Sequence, residues 1–211
     1  MFNALSFDDD IDEKTDFGII TRVFYAGDKE FRSERIESFK VVSESFEGEI
    51  EGNVYLESLS SGDKLLDKVI EQYLQGKGKL IVNLANSLYE VGSFDKRYGC
   101  SPVFYAEKLG LLDGAYLTGC VYLDKDDVEL INLHEAQIIL TPSSTMGKGF
   151  GIPPVRMMAT LGARVHLGTG LKEYNPDADL LFEKKLISLA ASGSLCTENA
   201  LSEEMLNKML S

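Results

Sequence analysis

Short apolar runs recur along the chain, and each is followed by a segment whose apolar residues return at helical spacing. The strongest strand candidates among them are Lys79–Leu84, Ala115–Val121, Gln137–Leu140 and Arg164–Leu167. They are rich in β-branched residues and end at polar or glycine-containing turns, as buried strands do. Strands that alternate with helices in this way predict a parallel sheet whose strands are adjacent in chain order.

Weaker runs earlier in the chain predict further strands at Phe17–Ala26, Phe39–Val42 and Gly52–Leu56, and a helix from Asp63 to Gly76. The pattern therefore predicts about five or six strands, mostly parallel. A closed eight-stranded barrel typically needs about 250 residues, more than the 211 of this chain. The predicted fold class is α/β, an incomplete TIM-like (β/α) barrel.

Capping residues and apolar spacing predict the later helices. They are expected at Ser101–Leu109, at Asp127–Leu133 with Asp124 as its cap, at Pro153–Leu161, at Asp177–Ala191 and at Ser202–Leu210. Two other segments show no helical pattern. We expect Asn86–Tyr98 to be a polar connection and Ser143–Gly151 to be a glycine-rich turn.

Composition narrows the class of protein and its partners. The formal net charge of −13 disfavours nucleic acid and anionic membranes. The three cysteines have no metal-ligand spacing, no secretory signal opens the chain, and no apolar run reaches the ~20 residues of a membrane span. These features predict a cytoplasmic protein with an acidic tail over residues 1–16 and a single α/β domain over residues 17–211.

Several short motifs follow one another from the predicted strand Lys79–Leu84 onwards. They read L-I-V-N-L-A-N-S-L-Y-E-V, Y-G-C-S-P-V-F-Y-A-E-K-L-G-L-L, G-C-V-Y-L-D, T-P-S-S with G-I-P-P-V after it, and L-G-T-G. In this order they resemble the metal-dependent amidohydrolase superfamily, in particular the branch of chlorohydrolases and cytosine- and guanine-type deaminases. The resemblance covers residues 52–211.

The resemblance implies a (β/α) barrel that hydrolyses a C–N bond of a cyclic or nucleobase-like substrate with a metal-activated water. The positions that would do this are substituted here. Asn83 stands at the metal-binding His of the family's fifth strand, and Asn86 at the catalytic Glu of the same motif. Gly119 and Tyr122 stand at the two His of the sixth-strand motif, and Gly170 at the Asp that deprotonates the water. The family's His-x-His pair has no counterpart.

These substitutions remove the side chains that a catalytic metal requires. A zinc or iron ion needs about three protein ligands and an open position, whereas Gly has no side chain and Asn is a poor zinc ligand. The two histidines, His134 and His166, lie at no motif position, and we expect both to be hydrogen-bonded or on the surface. The sequence therefore predicts no metal, no other cofactor and no catalytic residue.

One segment and one cysteine are further candidates for binding or catalysis. The backbone amides of Ser143–Gly151 could form an anion-binding nest, although the segment lacks the order of a P-loop; the alternative is a plain turn of the family. Cys120 could be an exposed nucleophile at a strand end, but no histidine is placed to activate it. The alternative for Cys120 is a small buried thiol.

Polar residues are expected where the parallel strands end, at the edge of the sheet that binds ligands in (β/α) proteins. They would line a pocket for a small molecule and are Glu57, Asn83, Asn86, Cys120, Tyr122, Ser143, Ser144, Lys148, Thr169 and Asp177.

Two functional hypotheses follow. The first is a non-catalytic, metal-free relative of the amidohydrolases that acts as a binding or partner subunit. The alternative is a metal-dependent deaminase whose site is completed by another chain. A partial barrel leaves strand edges and an apolar inner face uncovered, which predicts a homodimer or a complex with a partner protein over the open side.

Overall fold

The computed structural model describes residues 20–23, 53–56, 59 and 80–210. Six strands within these ranges form one sheet: β1 (Ile20–Val23), β2 (Asn53–Leu56), β3 (Leu80–Leu84), β4 (Tyr116–Gly119), β5 (Gln137–Leu140) and β6 (Arg164–Leu167). Each strand pairs in parallel with the next one along the chain. This order confirms the predicted adjacency, and it is that of consecutive strands in a (β/α) barrel rather than of a doubly wound sheet.

Helices connect and follow the later strands. They are α1 (Leu88–Tyr98), α2 (Pro102–Lys108), α3 (Lys125–Leu133), α4 (Pro142–Gly147), α5 (Val155–Thr160), α6 (Leu180–Leu195) and α7 (Glu203–Lys208). Across the described ranges, no helix has both the length and the apolar character to cross a membrane. The predicted tail over residues 1–16, the strand at Phe39–Val42 and the helix from Asp63 to Gly76 lie outside the described residues.

Side-chain caps explain where α2 and α3 begin. Ser101 Oγ accepts a hydrogen bond from the Phe104 amide at 3.2 Å, and Asp124 and Asp127 form a reciprocal capping box. Ser101 Oγ also donates to the Asp127 carboxylate. The starts of two helices are thereby joined through side chains that satisfy their free amides.

Two predictions about connections were wrong. The predicted polar connection Asn86–Tyr98 contains α1, which starts after Ser87, because Ser87 Oγ accepts from the Glu90 amide at 3.1 Å. The predicted glycine-rich turn contains α4, a six-residue helix with Pro142 in its first turn. The last long helix begins at Leu180 rather than at Asp177, since Asp179 provides the cap.

The strands supply the centre of the core, and their side chains alternate between its two sides. Val82, Leu117 and Ile138 are fully buried on the side that the helices cover. On the other side, the parallel register aligns Asn83, Thr118, Ile139 and His166 in one row across β3 to β6. This row lies near the carboxyl edge of the sheet, and it brings the polar side chains of Asn83 and Thr118 into contact there.

The C-terminal segment covers part of the β6 edge. The Leu167 amide donates a hydrogen bond to the Met209 carbonyl at 2.9 Å. Leu206 and Met209 are each 3% exposed, so α7 and the residue after it belong to the core. The edge of β6, which the sequence predicts to be uncovered, is therefore covered in part by the chain itself.

Candidate functional site

A carboxamide pair forms the centre of the polar site at the ends of β3 and β4. Asn83 Oδ1 accepts hydrogen bonds from Asn86 Nδ2 at 2.8 Å and from Thr118 Oγ1 at 3.2 Å. All three residues lie on the inner side of the sheet or in the loop directly after it. The structure thus brings two predicted pocket residues together and adds Thr118, which sequence reasoning missed because it lies within an apolar run.

Glu90 holds the loop that carries Asn86. Its carboxylate accepts from the Asn86 amide at 2.8 Å, while its own amide is capped by Ser87. This is a variant of the capping box in which the carboxylate binds the amide before the cap residue, and the S-x-x-E spacing in the sequence was the signal that could have revealed it. Burial raises the pKa of the Glu90 carboxyl, and hydrogen bonds from the backbone of Asn86, Ala85 and Ser87 oppose that rise.

Gly119 ends β4 in a conformation that favours glycine, with φ of +82°. A β-carbon at this position would touch Asn86 Oδ1 and would lie 2.7 Å from the Leu84 carbonyl oxygen. The Asn86 carboxamide therefore fills the space that a side chain of residue 119 would use. Any larger residue at 119 requires both backbone strain and displacement of Asn86.

The loop after β6 repeats this arrangement with other residues. Gly170 has a φ of +66°, and a β-carbon there would touch Ser144 Oγ and would lie 3.1 Å from Thr141 Cβ. Ser144 Oγ also accepts from the Leu171 amide at 2.8 Å. The Ser144 hydroxyl thus closes the space beside Gly170 and fixes the start of the following loop.

Cys120 is buried, and within the described residues the hydrogen-bonding neighbour of its thiol is a backbone carbonyl rather than a base. Its amide donates to the Leu84 carbonyl at 2.9 Å, and its thiol lies 3.7 Å from the Thr118 carbonyl. Burial raises the pKa of the thiol well above its ordinary value, and the negative charges of Asp127 and Glu90 add to that rise. A thiol that stays protonated is a poor nucleophile, which favours the buried-thiol interpretation over the nucleophile.

Tyr122 contacts the loop between α4 and α5. Its hydroxyl donates to the Phe150 carbonyl at 2.6 Å. A β-carbon at Gly151 would lie 3.1 Å from the same hydroxyl. The ring therefore fixes the loop after α4 against the end of β4.

Ser143 belongs to a buried network at the start of α4. Its amide donates to Glu183 at 2.8 Å and its hydroxyl donates to the same carboxylate at 2.5 Å. Asn175 Nδ2 adds a third hydrogen bond at 2.9 Å. The Glu183 side chain is 0% exposed, and this burial raises the pKa of its carboxyl despite the three donors. Neither Glu183 nor Asn175 was singled out from the sequence, since no local spacing links either to Ser143.

The remaining predicted pocket residues differ in their exposure. Thr169 is buried, whereas Lys148 and Asp177 are exposed. Glu57 lies outside the described residues. A pocket that all ten residues line together stays a prediction.

Each of the two histidines has a polar neighbour. His134 follows the end of α3, and its Nδ1 lies 2.5 Å from Asp113. His166 Nε2 lies 2.9 Å from Gln137 Oε1, one strand away. Each contacts a polar neighbour, as predicted.

The side chains at the resemblance positions do not fit a catalytic transition metal. Asn83 Oδ1 accepts two hydrogen bonds, and Gly119 and Gly170 offer no ligand atom. Within the described part of the chain, no three His, Cys, Asp or Glu side chains are grouped so that they could hold a metal ion.

Comparison with known proteins identifies relatives of one kind. No protein-family model matches the chain. A 5-methylthioadenosine/S-adenosylhomocysteine deaminase of Desulforamulus reducens is 33% identical over 119 residues, which are 56% of this chain and 28% of the deaminase. The corresponding deaminase of Moorella thermoacetica is 31% identical over 115 residues, 54% of this chain and 27% of that protein. The matched region thus spans less than a third of these relatives.

A solved structure shows the same fold. An adenosine deaminase from Xanthomonas campestris with bound zinc superposes with a TM-score of 0.68 at 14% identity, covering 91% of this chain and 45% of that one. A guanine deaminase from C. acetobutylicum with bound guanine has a TM-score of 0.63 at 19% identity, covering 74% and 39%. Together with the consecutive parallel strands, these matches show the fold of part of a (β/α) barrel. In sequence and in fold, the chain is similar to part of the deaminases of the amidohydrolase superfamily.

Proposed function

We propose that this chain is a metal-independent member of the amidohydrolase superfamily that acts as a binding or partner subunit and does not itself hydrolyse a C–N bond. One observation carries the proposal. At Gly119 and Gly170, the spaces that side chains would need are filled by Asn86 and Ser144, whose own polar groups are hydrogen-bonded. The site is thus packed around the substitutions rather than left with gaps.

The chemistry of the remaining groups supports the same function. Activation of water without a metal requires a base that is close to the reacting centre and that can accept a proton. Glu90 is the carboxylate beside Asn86, and it binds a backbone amide. The Glu90 carboxylate therefore holds the loop that carries Asn86. A polar surface of carboxamides and hydroxyls suits binding of a neutral, hydrogen-bonding molecule rather than hydrolysis.

Metal content and ammonia release test the proposal together. We expect the purified, tag-free protein to hold far less than one zinc, iron or manganese ion per chain by elemental analysis. We also expect no ammonia from adenosine, 5′-methylthioadenosine, S-adenosylhomocysteine or guanine. Ammonia release that zinc or iron stimulates, and that a chelator abolishes, would overturn it.

The similarity of part of the chain to deaminases is the reason to test a second function, that of a deaminase subunit. In that case the chain would contribute one part of a heteromeric deaminase, and a second protein would supply the metal ligands. Affinity purification from the native host, followed by an ammonia assay on the eluted complex, separates the two functions. Activity in the complex that Asn83→Ala and Ser144→Ala abolish would favour the alternative, whereas an inactive complex supports the partner-subunit function.

A further inference from the structure

The helix α6 is apolar on the side that faces away from the core. Its inner side is formed by Glu183, Ile187 and Ala191. Four large apolar side chains are exposed on the rest of the helix: Leu181 (66%), Phe182 (42%), Leu189 (63%) and Leu195 (48%). A helix that is apolar on both sides is normally covered on both sides. We call the outer side, from Leu181 to Cys196, the α6 face.

The residues of the α6 face repeat at a spacing of seven. One row contains Leu181, Ser188 and Leu195, and the other contains Phe182, Leu189 and Cys196, with Lys185 and Ser192 between the rows. Residues seven apart lie on the same side of a helix, and this spacing is that of helices that pair along their length. Small residues near the middle of the face would let a second helix approach closely.

The charge of α6 differs from that of the whole chain. The chain carries a net charge of −13, and two copies repel each other over most of their surfaces. Between Leu180 and Leu195 the only acidic residue is Glu183, which is 0% exposed. Lys184 is bound to Glu203 and Asn207 at 2.8 and 2.9 Å, and Lys185 is exposed. Repulsion between two copies is therefore weakest where two α6 faces meet.

We propose that two copies of this chain form a two-fold symmetric dimer in which the α6 faces pack against each other in antiparallel orientation. The midpoint of the face lies between Ser188 and Leu189. Antiparallel pairing about that point places Phe182 opposite Leu195 of the partner subunit and Lys185 opposite Ser192 of the partner subunit. Parallel pairing would instead place Lys185 opposite Lys185 of the partner subunit, which like charges disfavour.

The size of the surface fits a contact between copies. The helix portion from Leu181 to Leu195 is about 21 Å long at 1.5 Å per residue, and contiguous exposed apolar patches larger than a few hundred Å² mark interaction sites on soluble proteins. A two-fold contact uses this patch twice, as isologous dimers do.

A charge substitution tests the surface against a matched control. In sedimentation equilibrium the wild type should have twice the 23.3 kDa chain mass. Leu189→Lys should weaken the dimer by about tenfold or more, since it puts a charge at the centre of a buried contact. Leu133→Lys makes the same change at a leucine of α3 that is 75% exposed, and it should leave the dimer unchanged. A monomeric wild type at its highest soluble concentration overturns the proposal, as does a dimer that Leu189→Lys does not weaken.

A crosslink tests the orientation. Within one helix, residues 181 and 196 are about 22 Å apart, too far for a disulfide. In the antiparallel dimer, position 181 lies opposite Cys196 of the partner subunit, so Leu181→Cys should yield a covalent dimer under mild oxidation. Leu133→Cys should not, and neither should Leu181→Cys combined with Cys196→Ser. Absence of the Leu181→Cys crosslink in a dimeric protein would overturn the antiparallel arrangement.

Discussion

Gly119 and Gly170 show at the scale of single residues how the polar site is built. Each has a positive φ, and each leaves its side-chain space to a polar neighbour from another element. Replacing the neighbour opens a gap, whereas replacing the glycine creates a clash. Each glycine and its polar neighbour therefore constrain each other.

Gly119→Ala should separate the cost of the clash from the cost of the backbone conformation. Gly162 is the matched control, because its φ of +79° is close to the +82° of Gly119 and no atom lies within 4 Å of its added β-carbon. We expect Gly162→Ala to lower the free energy of unfolding by about 1–2 kcal/mol. Gly119→Ala should lower it by about 1–3 kcal/mol more, through overpacking against Asn86 and Leu84. Equal losses in urea titrations would contradict the packing described here.

The cysteines should react in the order of their exposure. Cys196 is exposed, Cys100 is half-buried and Cys120 is buried, and the raised pKa of the Cys120 thiol disfavours its thiolate. With Ellman's reagent, we expect native protein to release the equivalent of Cys196 first, then that of Cys100, and to release that of Cys120 only after denaturant is added. Cys196→Ser should remove the fast phase. A fast phase that only Cys120→Ser removes would restore Cys120 as a candidate nucleophile.

At the scale of elements, α4 and α6 are joined through the buried Glu183 carboxylate. Three hydrogen bonds from Ser143 and Asn175 satisfy it. The arrangement fixes the start of α4 and the loop before α6 together. Removal of the carboxylate would leave buried donors without an acceptor, which costs about 1–3 kcal/mol for each neutral group.

The contribution of Glu183 to stability should decrease as the pH rises. Its pKa in the folded protein is raised above the ordinary 4.5, so the unfolded chain loses this proton at lower pH than the folded protein does. The contribution is then fully present below pH 4.5 and is lost as the pH rises through the folded pKa. In urea titrations between pH 4.5 and 8, the stability of wild type relative to Glu183→Gln should fall with pH. The raised pKa values of Glu90 and Asp127 cancel in this difference, and a relative stability that rises with pH would contradict the assignment.

The order and direction of the strands could be predicted from the sequence because apolar runs and helix caps are local signals. The start of α1 was missed although S-L-Y-E has the spacing of a capping box, since Gly92 and the polar residues around it resemble a connection. The contacts of Asn86 with Gly119 and of Ser144 with Gly170 could not be predicted. They depend on a positive φ at each glycine and on the distance between loops that are neighbours in space but far apart in the sequence.

At the scale of the whole molecule, the C-terminal segment closes part of the sheet. Truncation after Lys208 removes both the Met209 side chain and the carbonyl that accepts from Leu167. Met209→Ala removes most of the buried side chain but keeps the carbonyl. We expect Met209→Ala to lose about 2–5 kcal/mol of unfolding free energy without aggregating, and the truncated chain to aggregate faster in light scattering. Equal aggregation rates at matched stability would show that the edge contact has no protective role.

The contact between Leu167 and Met209 also has a consequence for how the chain is made. A ribosome releases β6 before it has translated Met209, and at about 5–20 residues per second the wait lasts a few seconds. During that time the outer amide of β6 has no partner from its own chain. Nascent chains on neighbouring ribosomes of one messenger present the same strand side by side, so we expect the yield of soluble protein to fall when translation of residues 168 to 209 is slowed by rare codons and to recover when those codons are replaced.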